Sequence, residues 1–423
     1  MKRRLDPLPL LDETSLTDLL LEYGCKANHA GKLWRYFLDN ADGDFANVPD
    51  LPRRILAPLE TRFARVTSTV VKKQESVLDG TIKLLVKLQD GHEVESVIIP
   101  HACDDTGTSR VTLCVSSQIG CRMACAFCAT GTLGHSGDLY AGEILEQLWH
   151  AKQVRPEISN VVFMGMGEPL ENYSQVISAI KGMTEPFRFN LAPRGITVST
   201  VGVVQNIERL MVDAPSVKLA LSLHAPTQEL REKIVPTAKA WPLHALMKAI
   251  DRYSSRHGES NKKKGMVMIE YVVLKDVNDS RECAHQLGRL MRNRKVVVNL
   301  IPFNKFEGNP YETPDEDQVA EMLDILISYN VRAYVRKHHG RDIAAACGQL
   351  AKIERDREIE DLTEVSAEEP VIDQPVRKPK KDRSFIDTLD MYWLSDPFTR
   401  TVLLAGLGLS VASIVAFQVL RKK

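Results

Sequence analysis

The chain has little cysteine, eight residues in 423. Their spacing is not that of a disulfide framework. No secretory leader reads from the start either, because Asp6, Asp12 and Glu13 interrupt the basic opening MKRRLDPLPLLDETSL. A reducing compartment is expected, with metal or redox duties for cysteines that cluster. Net charge is lacking too. Basic and acidic side chains balance at 55 each, so overall charge selects no partner. Internal repeats and low-complexity tracts are absent. Apolar content of 44% beside 26% charge excludes a disordered chain, and the length exceeds one small domain.

What is present falls into segments. Residues 1–75 read as helical. Ser15 with Asp18 marks a helix start, and Ala30, Leu33, Trp34, Phe37 and Leu38 recur at helical spacing on one face. The same segment carries Lys26, Lys32, Arg35, Arg53, Arg54, Arg62, Arg65, Lys72 and Lys73, either solvated helix faces or a nucleic-acid patch. Residues 76–107 read as a β-hairpin extension, TIKLLVKL and HEVESVIIP flanking Gln89-Asp90-Gly91. From 108 to 352, strand candidates VTLCVSS, NVVFMG, GITVST, VKLALSL, MVMIEYVVL and VVVNLIPF alternate with helix-length stretches, and VRAYVRK adds an edge strand. That alternation predicts an α/β fold of six βα units in an open barrel-like sheet, its chemistry at the carboxyl ends of the strands. Residues 353–395 segregate acidic and basic blocks around prolines and read as a flexible linker. Residues 401–420 read as a transmembrane helix. Val402 to Leu420 carry no charge and span roughly 28 Å at helical rise, between Arg400 and Arg421-Lys422-Lys423.

Three of the eight cysteines fall within GCRMACAFCATG, as Cys121, Cys125 and Cys128, just after the strand VTLCVSS. A structural zinc site wants four protein ligands. Three thiolates on a 4Fe-4S cluster leave one iron open to a substrate or cofactor. Cys-x3-Cys-x2-Cys matches the signature of the radical S-adenosyl-L-methionine (SAM) superfamily, in which the open iron chelates SAM and an electron from the cluster cleaves it to a 5′-deoxyadenosyl radical. Gly167 and Glu168 in MGMGEP resemble the superfamily's motif that meets the SAM amino group. Ser199, Ser222-Leu223-His224 and Asn304 follow later strands. Each alone reads as a cap or loop residue, but together they ring one mouth. Cys114 on the first strand and Cys347 in DIAAACGQL each read alone as packing. The small residues around Cys347 also suit a cysteine that must reach a cofactor.

Taken together, TLCVSSQIGC, MGMGEPL, SLHAP, IEYVVL, NLIPFN and AAACGQL resemble the RlmN family over residues 10–352. The resemblance implies a partial (β/α)6 radical SAM barrel with a helical N-terminal RNA-binding domain. It implies a methyltransferase acting on carbon 2 of adenine in large-subunit rRNA, and in some members of tRNA. Adenine C2 lies between two ring nitrogens and is no nucleophile, so the family uses two SAM per turnover. Cys347 would take a methyl group from one. The radical from the second would abstract hydrogen from that S-methyl, and the carbon would add to C2. Glu95 would act as the general base, and Cys114 would release the product through a transient disulfide with Cys347. Cluster ligands would be Cys121, Cys125 and Cys128. SAM would be held by Gly167, Glu168, Ser199, Ser222, Leu223, His224 and Asn304. Val201 departs from the family's more usual serine at that position. Cys25, Cys103 and Cys283 match no family role.

Two alternatives stay beside this one. A Cfr-type methyltransferase acting on adenine C8 shares the same mechanism residues. A membrane-tethered, non-catalytic RNA-binding iron–sulfur protein would have no use for the Cys114–Cys347 pair. The expected partners are rRNA or tRNA, a one-electron reductant and, through the C-terminal helix, a lipid bilayer. Lys262-Lys263-Lys264 offers a further RNA contact or an exposed loop. The protein is expected to be a monomer, with its catalytic part on the cytoplasmic side.

Overall fold

The structure is a computed structural model that describes residues 3–40, 42–101, 110–256 and 266–350. The linker, the apolar stretch 401–420, Cys103 and Lys262-Lys263-Lys264 lie outside the described residues. Among the described residues no helix is long and apolar enough to cross a membrane.

The N-terminal helices are α1 (Glu13–Glu22), α2 (His29–Asp39) and α3 (Leu56–Arg62). Helix α1 starts earlier than Ser15. Asp12 is the cap, its carboxylate accepting from Ser15 N at 2.9 Å, so Ser15 supplies the capped N–H rather than the cap. Leu16, Leu19 and Leu20 pack against Ala30, Leu33, Trp34 and Phe37 of α2, as the helical spacing requires. Much of this segment's positive charge is internal. Arg54 donates to Tyr23 O and Gly24 O at 2.8 Å each, closing the end of α1. Arg65 donates to Gly43 O, Arg35 donates to Pro186 O, Arg62 pairs with Glu22 and Lys32 with Asp50.

One ten-stranded sheet organises the rest. Its strands are β1 (Thr69–Glu75), β2 (Ile82–Lys87), β3 (Glu93–His101), β4 (Arg110–Cys114), β5 (Asn160–Phe163), β6 (Ile196–Thr200), β7 (Lys218–Ser222), β8 (Val267–Val273), β9 (Val296–Pro302) and β10 (Ala333–Val335). Spatial order follows chain order throughout. Strands β1 to β4 are antiparallel, and β4 to β10 are parallel. The seven segments read as strands from sequence are these seven parallel strands. Their apolar runs reflect burial on both faces, which parallel crossovers impose. The hairpin extension is larger than expected, because Thr69–Glu75 adds a third strand at the open edge. TVVKKQE is mostly exposed and has no apolar face to announce it.

Helices α4 (Ala141–Val154), α5 (Tyr173–Thr184), α6 (Val204–Asp213), α7 (Gln228–Ile234), α8 (Leu243–Ser255), α9 (Arg281–Met291) and α10 (Glu316–Ser328) cover the parallel part. Helix α4 docks the N-terminal segment. Glu143 takes both Arg3 Nη1 and Nη2, at 2.8 and 2.7 Å. Glu146 accepts from Thr67 N at 2.8 Å and from Ser68 Oγ at 2.5 Å, and Ser68 Oγ also meets His150 Nε2 at 3.0 Å.

Burial pushes the Glu146 carboxyl up to about 7 from an ordinary 4.5, against the pull of Ser68 and Thr67. The folded state therefore holds a proton that the unfolded chain releases. The stability this contributes is complete below pH 4.5 and lost as pH rises through about 7, by about 3 kcal/mol. Urea midpoints of the wild type are expected to fall between pH 5 and 8. Those of Glu146→Gln should fall clearly less, and equal slopes would refute the assignment.

Candidate active site

The loop between β4 and α4 carries the three clustered cysteines. Its backbone is fixed at several points. Cys121 N donates to Gly134 O at 2.6 Å, Ala126 N to Ile234 O at the end of α7 at 2.9 Å, and Ala129 N to Gly348 O at 2.8 Å. Gly120, at φ +75°, lies so close to Gly134 that a Cβ there would fall 2.0 Å from its carbonyl oxygen. Cys121, Cys125 and Cys128 line one open cleft at the carboxyl ends of the parallel strands.

The same cleft is lined by Gly167, Glu168, Ser199, Ser222, His224, Asn304 and Cys347, so most of the expected constellation converges. Glu168 is buried, accepting from Val201 N at 2.8 Å and Leu170 N at 2.9 Å, and its own N–H donates to Gln118 Oε1 at 2.8 Å. Burial raises this carboxyl to about 7, so a bound ammonium would restore its charge. Ser199 Oγ and Ser222 Oγ lie 3.3 Å apart. His224 Nδ1 accepts from Val272 N at 3.0 Å, and burial lowers the ring to about 3. It is therefore neutral, with Nε2 as its donor.

Three expected residues fall elsewhere. Leu223 is fully buried and outside the cleft lining. It contributes its backbone, its carbonyl accepting from Arg231 Nε at 3.1 Å. Cys114, at the end of β4, is also outside the lining and opposite Val97 of β3. Its buried thiol is pushed up to about 12, first by burial and then by the nearby Cys347. Glu95 on β3 is buried and pairs with Lys83 Nζ at 3.1 Å. Asn304 does line the cleft, but its amide is committed. Nδ2 donates to Cys347 O at 3.2 Å and Oδ1 accepts from His338 at 2.8 Å.

Cys347 opens into the cleft while lying deep enough that desolvation raises its thiol pKa, and Arg336 opposes that rise. Its loop sits on the hairpin turn between β1 and β2. Asp79 Oδ2 accepts from Gly340 N at 3.0 Å, Asp342 Oδ1 accepts from Ser76 Oγ at 2.7 Å, and Lys83 Nζ donates to Ala344 O at 3.4 Å.

Residues that sequence reasoning passed over are buried charges. Glu270 of β8 lines the cleft, accepts from Asn299 Nδ2 at 2.7 Å and meets Arg336 at 3.7 Å, and its Oε1 has no partner. An acidic residue inside the apolar strand VMIEYVV was the available signal. Arg336, Lys83 and Arg231 gave none, because a basic residue near a strand end or on a short helix reads as surface.

The donor set fits the cluster and SAM. Cys121, Cys125 and Cys128 reach one cleft from a single loop, and three thiolates leave one iron of a 4Fe-4S cluster free for SAM. Burial pushes Cys121 up to about 12 and raises Cys125 and Cys128, so these thiols need bound metal to persist as thiolates. Among the described residues every cysteine is free.

The family model and one solved structure agree with this chemistry. Residues 115–285 match the family model of the radical SAM superfamily. A radical SAM methyltransferase from Sphaerobacter thermophilus is 35% identical, with 81% of this chain and 99% of that chain covered and a TM-score of 0.73. A domain of pyruvate-formate lyase-activating enzyme from Bacteroides vulgatus is 17% identical, with 42% of this chain and 99% of that one covered and a TM-score of 0.33. SuiB from Streptococcus suis is 14% identical, with 53% and 49% covered and a TM-score of 0.40.

Proposed function

This chain belongs to the radical SAM methyltransferases, and from that premise we propose that it methylates carbon 2 of an adenine in structured RNA, carrying the methyl group on Cys347. The observation that carries this reading is Cys347 itself. A thiol open to the cleft shares that cleft with the three-cysteine loop, and a second thiol, Cys114, lies within its electrostatic reach. A methyltransferase that only displaced a methyl group would need neither.

Cys121, Cys125 and Cys128 would hold the cluster, and Glu168 would accept from the amino group of SAM. When bound, the cluster supplies one electron and takes it back, while SAM supplies first a methyl group and then the radical that removes a hydrogen atom from it. Every other task falls to the chain. Cys347 Sγ attacks the methyl group and becomes a thioether. Once the thioether carbon has joined C2, Glu95 takes the C2 proton. Cys114, as thiolate, then attacks Cys347 Sγ. The sulfur–carbon bond breaks with its electron pair going to carbon, which takes a proton and leaves as the new methyl group. An external reductant supplies two electrons to reopen the resulting disulfide. The basic N-terminal segment supports RNA binding only in part, because several of its arginines are used internally. Extrusion of the target base from its stack would bring C2 into the cleft.

Lys83 supports the role of Glu95. Its ammonium compensates a carboxylate that would otherwise be buried alone, and it also reaches the loop bearing Cys347. Lys83→Met is expected to slow release of product roughly 10–100-fold. A covalent Cys347–RNA adduct should then accumulate on denaturing gels, with normal S-methylation of Cys347. Lys83→Met turning over without adduct at the wild-type rate would sink this role.

The function itself is tested with anaerobically reconstituted protein, reductant, SAM and ribosomal or transfer RNA. Digested RNA should contain 2-methyladenosine by chromatography and mass spectrometry. Finding 8-methyladenosine instead would move the reaction to C8. Finding no methyladenosine with the cluster and SAM both bound would refute RNA methylation at adenine.

A further inference from the structure

Arg231, on α7, is fully buried, and it is among the largest fully buried side chains of the described residues. Its guanidinium ties together the ends of two strands. Nε donates to Leu223 O at 3.1 Å, and Nη2 donates to Val201 O and, at 3.4 Å, to Ser222 O. Two features of this arrangement are unusual. All three acceptors are neutral carbonyls, and among the described residues no carboxylate pairs with Arg231. Nη1 is buried with no acceptor at all. Carbonyls solvate a guanidinium but do not neutralise it, and an uncompensated buried cation costs several kcal/mol. An orphaned donor adds about 1–3 kcal/mol. A clamp on three carbonyls could be made by a neutral side chain, so the positive charge needs a reason of its own.

The surroundings supply one. Val201, which Arg231 holds, packs in the same apolar cluster as Cys125 and lines the same cleft. Ile234, one turn along α7, accepts from Ala126 N, the residue after Cys125, at 2.9 Å. Arg231 is thus fastened from two directions to the loop that would hold the iron. Cys125, once it holds iron as a thiolate, would be an anion within electrostatic reach of Arg231. A 4Fe-4S cluster on three thiolates is net anionic, and more so once reduced.

We propose that Arg231 is the buried counter-cation of the cluster, and that it raises the cluster's reduction potential by stabilising the reduced, more negative form. Hydrogen bonds and charge around the sulfurs are among the levers by which proteins set such potentials. The carbonyl clamp has a part in this, since it fixes the charge in place without neutralising it. The proposal uses only the iron–sulfur chemistry of the family and is independent of which RNA atom is methylated.

The test is a redox titration of the reconstituted holoenzyme without SAM, followed by electron paramagnetic resonance of the reduced cluster. Arg231→Gln should lower the midpoint potential, and Arg231→Lys should stay between it and the wild type. An unchanged potential in Arg231→Gln with full iron content would overturn the proposal. Should that variant not fold, wild-type protein labelled with 15N-arginine decides. The reduced cluster should show a nitrogen hyperfine coupling in pulsed measurements that Arg231→Lys lacks. Absence of that coupling in the wild type would overturn the proposal.

Discussion

Replacing Cys347 by alanine is expected to abolish methyl transfer to RNA, a loss of at least about 10³-fold, while leaving fold, iron content and SAM binding intact. The selectivity of this loss follows from where the thiol lies. Cys347 faces the cleft rather than the core, so truncation opens no internal cavity. Its loop is held by backbone and neighbouring groups: Asn304 on the Cys347 carbonyl, Ala129 on Gly348 O, Lys83 on Ala344 O. None of these contacts uses the thiol. Alanine at 347 therefore removes the sulfur and little else. With SAM carrying a trideuterated methyl group, wild-type product should retain two of the three deuterons, because one leaves when the thioether is activated. Product from Cys347→Ala, or product retaining all three deuterons, would show that the methyl group never passes through this cysteine.

Gly167→Ala is expected to be nearly as damaging for a different reason. Gly167 has φ +102°, a region that side chains disfavour, and a Cβ there would lie 2.5 Å from Gln118 Cβ. Gln118 is the residue whose side chain accepts from Glu168 N. The added methyl would push on the group that seats Glu168, the residue proposed above to accept from the SAM amino group. A cost of about 2–4 kcal/mol in stability is expected from the backbone and the clash together. The dissociation constant for SAM should rise at least about tenfold, read by calorimetry on the reconstituted protein. Wild-type SAM affinity in a folded Gly167→Ala would mean that this turn does not carry the cofactor.

The parallel strands were legible because each is an apolar run such as VKLAL or VVVNLIP, set between helix-length segments. Cys121, Cys125 and Cys128 were singled out by their spacing alone, and the fold brings all three to one cleft. Thr69–Glu75 was not, since an exposed edge strand has no apolar face to reveal its period. The start of α1 was misplaced because Asp12 and Ser15 are both good caps, and only the fold decides which carboxylate or hydroxyl meets a free N–H. Glu95 was identified by likeness to a family, but its tie to Lys83 depends on the pairing of β2 with β3. Arg231 was missed altogether. Its three acceptors come from two strand ends that meet only in the folded sheet, and nothing in QELREKI distinguishes it from a solvated arginine.

The strict succession of the ten strands has a consequence for how the molecule is made. Each strand pairs with its neighbour in the chain, so the sheet can be laid down in the order in which a ribosome delivers it. The thiols for iron arrive between the fourth and fifth strands, before half the chain has been synthesised. Cys347 follows the tenth. A nascent chain therefore acquires its three-cysteine loop long before Cys347, so methyl transfer through that thiol cannot begin until ten strands have been made.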